Sequence, residues 1–159
     1  MSIDAHAHMF PAKIAAKAVK GIGNFYRELK MHMDGTVDTL IKDGKKNNID
    51  KFIVQSVATT PEQVESINDF IAASVNEHPD ELIGFATIPP DYPDLGDEIA
   101  RAVNMGLKGL KLHPDFQLFN IDCLKAMKIF EIIEEIAEFF KQLIRLEKMI
   151  PIIVSFYAR

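Results

Sequence analysis

The sequence is short of the features that mark several specialised classes. It contains one cysteine, Cys123, so no intramolecular disulfide framework can staple it, and a lone thiol fits a reducing compartment. Positive charge is also scarce. The 18 lysines and arginines against 23 acidic residues give a formal charge of −5, which argues against nucleic acid as a partner. The longest charge-free apolar run near the end, Met149 to Ala158, is too short to cross a bilayer. No signal peptide is expected, because Asp4 and His6 interrupt the place of its apolar core. No Gly-x-Gly-x-x-Gly turn follows the first strand and no Gly-x-Ser-x-Gly turn occurs, which counts against a nucleotide-binding open sheet and a serine hydrolase. What remains is a cytoplasmic protein without a membrane or nucleic-acid partner. Its 159 residues, 48% of them hydrophobic and 26% charged, suffice for a single domain, 1–159, with a real core.

What is present is concentrated in Ser2-Ile3-Asp4-Ala5-His6-Ala7-His8-Met9-Phe10-Pro11. A strand sends alternate side chains to opposite faces, so Asp4, His6 and His8 share one side and Ala5 and Ala7 the other. Two imidazoles spaced in this way at a strand end can reach one metal ion. Pro11 cannot donate to a sheet ladder and ends the strand before it.

Further along, Ala12 to Lys20 has helical spacing, interrupted by Gly21 and Gly23, and Phe25, Tyr26, Leu29 and Met31 follow in a loop. Thr36 to Asn48 reads as a helix, and Lys51 to Val57 as a buried parallel strand. Thr60-Pro61-Glu62-Gln63 is a helix start, with Thr60 as cap and Gln63 completing a capping box. Val64, Ile67, Phe70, Ile71 and Val75 form the stripe of a helix that stops before His78-Pro79. Leu82 to Ile88 is a third strand, Asp94 to Asn104 a helix closed at Gly106, and Leu107 to Leu112 a fourth strand. If Leu110 and Leu112 face the covering helices, Gly109, Lys111 and His113 face the opposite way. A long helical pattern after Asp122 carries Ile129, Ile132, Ile133, Ile136, Phe140 and Leu143 and reaches about Lys148. Pro151 then introduces a fifth strand, Ile152 to Phe156. Strands alternating with helices imply right-handed β-α-β units and a parallel sheet.

The Asp4-Ala5-His6-Ala7-His8 segment resembles the His-x-His motif that ends the first strand in the amidohydrolase superfamily. Gly106 to Pro114 is similar to the fourth strand of its amidohydrolase-related branch of metal-dependent hydrolases and decarboxylases. That resemblance implies a TIM barrel and a catalytic divalent metal, zinc or manganese. His6 and His8 would be ligands, His113 a catalytic site residue, and a small molecule the substrate. Some superfamily members carry a carboxylated lysine on this strand; Lys111 sits deeper than His113, which disfavours that role.

A complete barrel takes about 250 residues, or roughly 200 at the lower end. The expectation is therefore an α/β fold of parallel (β/α) units forming a partial TIM barrel, the first four to five strands. Relatives add histidines from strands five and six and an aspartate from strand eight. Here Ser155 stands near the strand-five position, and no histidine follows His113. A partial barrel exposes a strand edge open to self-association. The competing reading is a non-catalytic module that forms homo-oligomers through that edge.

Overall fold

The computed structural model describes residues 1–26, 30–143 and 154–155. Strands β1 (Ile3–Ala7), β2 (Lys51–Val54), β3 (Leu82–Thr87), β4 (Gly109–Lys111) and β5 (Val154–Ser155) lie side by side in chain order. Each pairs in parallel with the next. Helices α1 (Ala12–Phe25) and α2 (Val37–Lys46) follow β1, and α3 (Val64–Glu77) follows β2. Then come α4 (Leu95–Asn104) after β3, and α5 (Pro114–Gln117) and α6 (Leu124–Leu143) after β4. The strands curl into half of a (β/α) barrel, as the alternation of strand and helix patterns predicts.

Alternation along each strand separates two environments. Ala7, Phe52, Val54, Leu82, Ala86, Leu110 and Leu112 point outward into the hydrophobic core. There they meet Ile41 of α2, Val64, Ile71 and Ala72 of α3, Ile99 and Ala102 of α4, and Ile129 of α6. Ile132, Ile133 and Ile136 extend the α6 stripe over that core. The placement of Phe140 and Leu143 side chains, the extension towards Lys148, and Ile152, Ile153 and Phe156 of the fifth strand lie outside the described residues.

Two glycines set how closely the layers approach. A Cβ on Gly84 would stand 2.6 Å from Leu107 Cδ2 and 2.9 Å from Ile71 Cγ2, so α3 seats directly on β3. A Cβ on Gly109 would stand 2.7 Å from the Phe85 ring, which fills the inner face there.

Several local expectations need correction. Gly21 and Gly23 do not break α1, which continues to Phe25; a helical glycine costs only about 1 kcal/mol relative to alanine, and flanking helix formers carry the chain across. Thr60 makes no side-chain cap. Instead the Gln63 side-chain oxygen accepts from the amide and hydroxyl of Thr59, at 2.9 and 3.1 Å, and a 3-10 turn over Pro61–Gln63 precedes α3. β2 ends at Val54 rather than Val57, and β4 begins at Gly109 rather than Leu107. Gly106 takes the left-handed conformation expected of it, at φ 89°.

A buried polar bridge joins α3, β3 and α4. Asn68 is fully buried; its Oδ1 accepts from Thr87 N at 2.8 Å, while its Nδ2 donates to Thr87 O and to Glu98 Oε1. Arg101 in turn donates to both Glu98 oxygens. Every one of these polar groups is paired, which is what makes their burial tolerable. Among the described residues no helix is long and apolar enough to cross a membrane.

Candidate metal centre

The inner face of the half-barrel collects polar groups from the C-terminal ends of β1, β2 and β4. At the end of β1, His6 and the next-but-one residue His8, just past the strand, project to the same side, their ring centroids 4.9 Å apart and their Nε2 atoms 3.0 Å apart. Asp4 shares that side but turns its carboxylate back, where Oδ1 accepts from the His6 backbone amide at 2.9 Å. It braces the strand end.

His8 is fixed by the neighbouring strand. Its Nδ1 lies 2.9 Å from the Gln55 carbonyl oxygen, an acceptor only, so Nδ1 carries the proton and Nε2 the lone pair. This is the arrangement of a ligand histidine whose second nitrogen is held by a carbonyl. Burial, above all, and then the neighbouring His6 push the His8 pKa down to about 4. Burial and then the Lys111 charge lower that of His6. Both rings are thus held neutral, the form that binds metal. Two nitrogens 3.0 Å apart can each stand about 2.0–2.1 Å from a single ion. The pair therefore fits two positions of a metal's coordination sphere. Among the described residues no cluster of three or more His, Cys, Asp or Glu side chains is suited to a metal, whereas a catalytic zinc ordinarily has three protein ligands.

From β4, Lys111 enters the same interior fully buried. Burial lowers its own pKa, and its charge acts on His6, His8 and His113. His113, 4% exposed, caps α5. Its Nδ1 accepts from Phe116 N at 3.4 Å, and its backbone amide donates to Gln117 Oε1 at 2.8 Å. Because the Phe116 amide can only donate, the neutral ring carries its proton on Nε2, which then donates to the Tyr26 hydroxyl oxygen at 3.2 Å. Phe116 packs on the His113 ring at a centroid distance of 4.4 Å and on Phe25 at 4.1 Å. The end of α1 is thereby tied to the loop after β4. Burial and then Lys111 lower the His113 pKa.

The structure brings together His6, His8, Lys111 and His113, as the alternation in β1 and β4 predicts. Tyr26 and Phe25 join them, while Leu29 lies outside the described residues; His32 is exposed and apart, and His78 caps the end of α3. The side chain of Ser155 lies outside the described residues. Sequence reasoning missed Gln55. Its carboxamide is fully buried, and neither Nε2 nor Oε1 has a hydrogen-bond partner among the described residues. Each such atom costs about 1–3 kcal/mol of desolvation. The available signal was the first polar residue after the apolar run Phe52-Ile53-Val54, at the strand end where barrel enzymes place their chemistry.

The amidohydrolase family profile matches residues 3–137. Among solved structures, the chain superposes with a TM-score of 0.63 on 2,6-dihydroxybenzoate decarboxylase complexed with 2,6-dihydroxybenzoate. The two are 19% identical, over 86% of this chain and 48% of that one. A 5-carboxyvanillate decarboxylase from Novosphingobium aromaticivorans, complexed with manganese and 4-hydroxy-3-methoxy-5-nitrobenzoic acid, gives 0.62 at 20% identity, covering 85% and 47%. The 2,6-dihydroxybenzoate decarboxylase from Rhizobium gives 0.59 at 20%, covering 86% and 47%. At these identities the likeness is one of fold. The chain spans about half the length of these structures. No curated protein sequence matches it.

Proposed function

The chain belongs to the amidohydrolase family, and from that premise we propose that it carries the first part of a metal-dependent hydrolase or lyase site. In this reading His6 and His8 hold a divalent cation, zinc or manganese, beside a small-molecule substrate, and His113 is a site residue on the opposite strand. The observation that carries the proposal is the convergence of the two Nε2 atoms at 3.0 Å, with the His8 lone pair fixed by the Gln55 carbonyl. When bound, such a metal polarises a carbonyl or carboxylate oxygen, or acidifies water, and so lowers the barrier to attack or bond cleavage.

The chain's own residues supply binding and orientation. Lys111 places a positive charge behind the histidines and favours anionic groups in the interior. His113 donates its Nε2 proton to the Tyr26 hydroxyl oxygen and so holds that phenol at the mouth, and the Phe25–Phe116 pair lines one side. Decarboxylases among the solved structures of the same fold, one of them with manganese, support the lyase branch of this reading. Further ligands would come from groups beyond those described. We take residues 1–159 as one domain, and the single cysteine supports a cytoplasmic setting.

A second reading, assembly without catalysis, is favoured by one observation. Among the described residues β1 pairs only with β2, which leaves a strand edge for a second copy. Calorimetric titration with manganese and zinc, alongside a solution mass measurement, decides between them. Uptake of one ion per site, lost in His6→Ala, supports the first. A flat titration with a dimeric or larger mass supports the second and refutes the metal site.

A further inference from the structure

The Gln55 carboxamide stands out because no group among the described residues bonds to it. Its backbone is fully used: N donates to Ala7 O at 3.0 Å, and O accepts from His8 Nδ1 at 2.9 Å. Both neighbours belong to the strand that carries the candidate ligands. The preceding outward residues, Phe52 and Val54, sit in the helix-facing core, so pleat alternation turns the Gln55 side chain to the inner face, with His6 and His8. There it is completely buried, with donor and acceptor both unpartnered among the described residues. The contrast with Asn68 is direct. That amide is equally buried, but its oxygen and nitrogen are bonded to Thr87 and Glu98.

We propose that Gln55 is a specificity-determining residue of the His6–His8 site, its carboxamide pairing with a neutral ligand group that presents an acceptor and a donor side by side. A primary carboxamide is the simplest such group. A bare carboxylate satisfies Nε2 but sets its negative oxygen against Oε1. The inference rests on the proposed reading of the site, and it adds which part of a ligand β2 recognises. Lys111 draws charge into the interior, whereas Gln55 reads a neutral polar group beside the metal-facing histidines.

Gln55→Met tests it, because methionine keeps the length of the side chain and removes both polar atoms. Two measurements are made on the full chain. In thermal melts without added metal, the variant is expected to melt about 2–4 °C higher, since unsatisfied atoms are removed. A lower melting temperature would make Gln55 a structural amide and overturn the proposal. In titrations of the manganese-loaded chain, the variant is expected to bind benzamide about tenfold more weakly than wild type and benzoate nearly unchanged. Equal sensitivity of the two probes, or no benzamide binding by wild type, overturns it. If wild type takes up no manganese, the metal reading fails by itself. The benzamide titrations are then run on the metal-free chain, where the same contrast supports the assignment and its absence overturns it.

Discussion

The sharpest consequence of the site's geometry is a dependence of folding stability on pH that originates in His8. An unfolded histidine takes up its proton near 6.5, whereas burial and the adjacent His6 hold His8 neutral until about pH 4. Between those values the unfolded chain binds more protons than the folded one. Stability therefore falls as the medium is acidified through that window; the contribution is complete above pH 6.5 and lost by about pH 4. A displacement of this size corresponds to about 3 kcal/mol, a large part of the stability of an ordinary domain. His6 and His113 are shifted in the same direction and add to the slope. The assay is urea unfolding in the presence of a chelator at half-unit steps from pH 7.5 to 4, on wild type and His8→Gln. The variant should lose much of the slope between pH 6.5 and 4 while keeping any that arises from carboxylates at lower pH. Parallel curves for the two proteins would refute a buried neutral His8, and with it the claim that the fold prepares this ring for a cation.

Other expectations follow from the packing and the hydrogen bonds. Gly109→Ala drives a methyl into the Phe85 ring and should destabilise by about 1–3 kcal/mol, read from the urea midpoint; an unchanged midpoint would mean the inner face is loosely packed. Asn68→Leu strands the buried Thr87 amide and takes one donor each from Thr87 O and Glu98 Oε1 and should cost about 2–4 kcal/mol, whereas Ser66→Ala at the exposed start of the same helix should cost under about 0.5 kcal/mol. Long-range nitrogen NMR of the His113 ring at neutral pH should show the proton on Nε2 and a bare Nδ1; the opposite tautomer would contradict the cap on α5. Tyr26→Phe should shift the Nε2 resonance, because it removes that proton's acceptor.

Much of this architecture is legible in the sequence because it depends on local periodicity. The β1 alternation places His6 and His8 on one face without reference to any other element. The apolar pairs Leu110–Leu112 and Phe52–Val54 declare which side meets the helices. What escapes such reading is set by partners distant along the chain. His113 became a helix cap through Phe116 and a donor to Tyr26, 87 residues away. The hydrogen bonds of Asn68 to Thr87 and Glu98 have no signature in the α3 stripe, where a polar residue suggests exposure. Gln55 was hidden for the same reason: its isolation is a property of what surrounds it, and a sequence shows only what precedes and follows it. The strand ends differ from the sequence expectation by up to three residues, as at β2, which stops at Val54 rather than Val57, because where a ladder ends depends on the neighbouring strand.

The two sets of buried polar residues also separate structure from function. Outside the sheet, Asn68, Glu98 and Arg101 form a closed set of hydrogen bonds, and burial there leaves no group wanting. Inside the curl, burial instead pushes His8, His6, His113 and Lys111 away from their charged forms, and the Gln55 carboxamide is unpaired among the described residues. A sequence selected only for stability would fill that space with the aliphatic residues used on the outward face, since replacing buried polar atoms by apolar ones is often stabilising. Keeping strained polar groups at the C-terminal ends of three parallel strands makes sense if something that enters this space completes them. The fold supplies the reason for their position, because among the described residues α2, α3, α4 and α6 pack on the outward side and leave the inner rim as the place where a ligand can meet several strands at once.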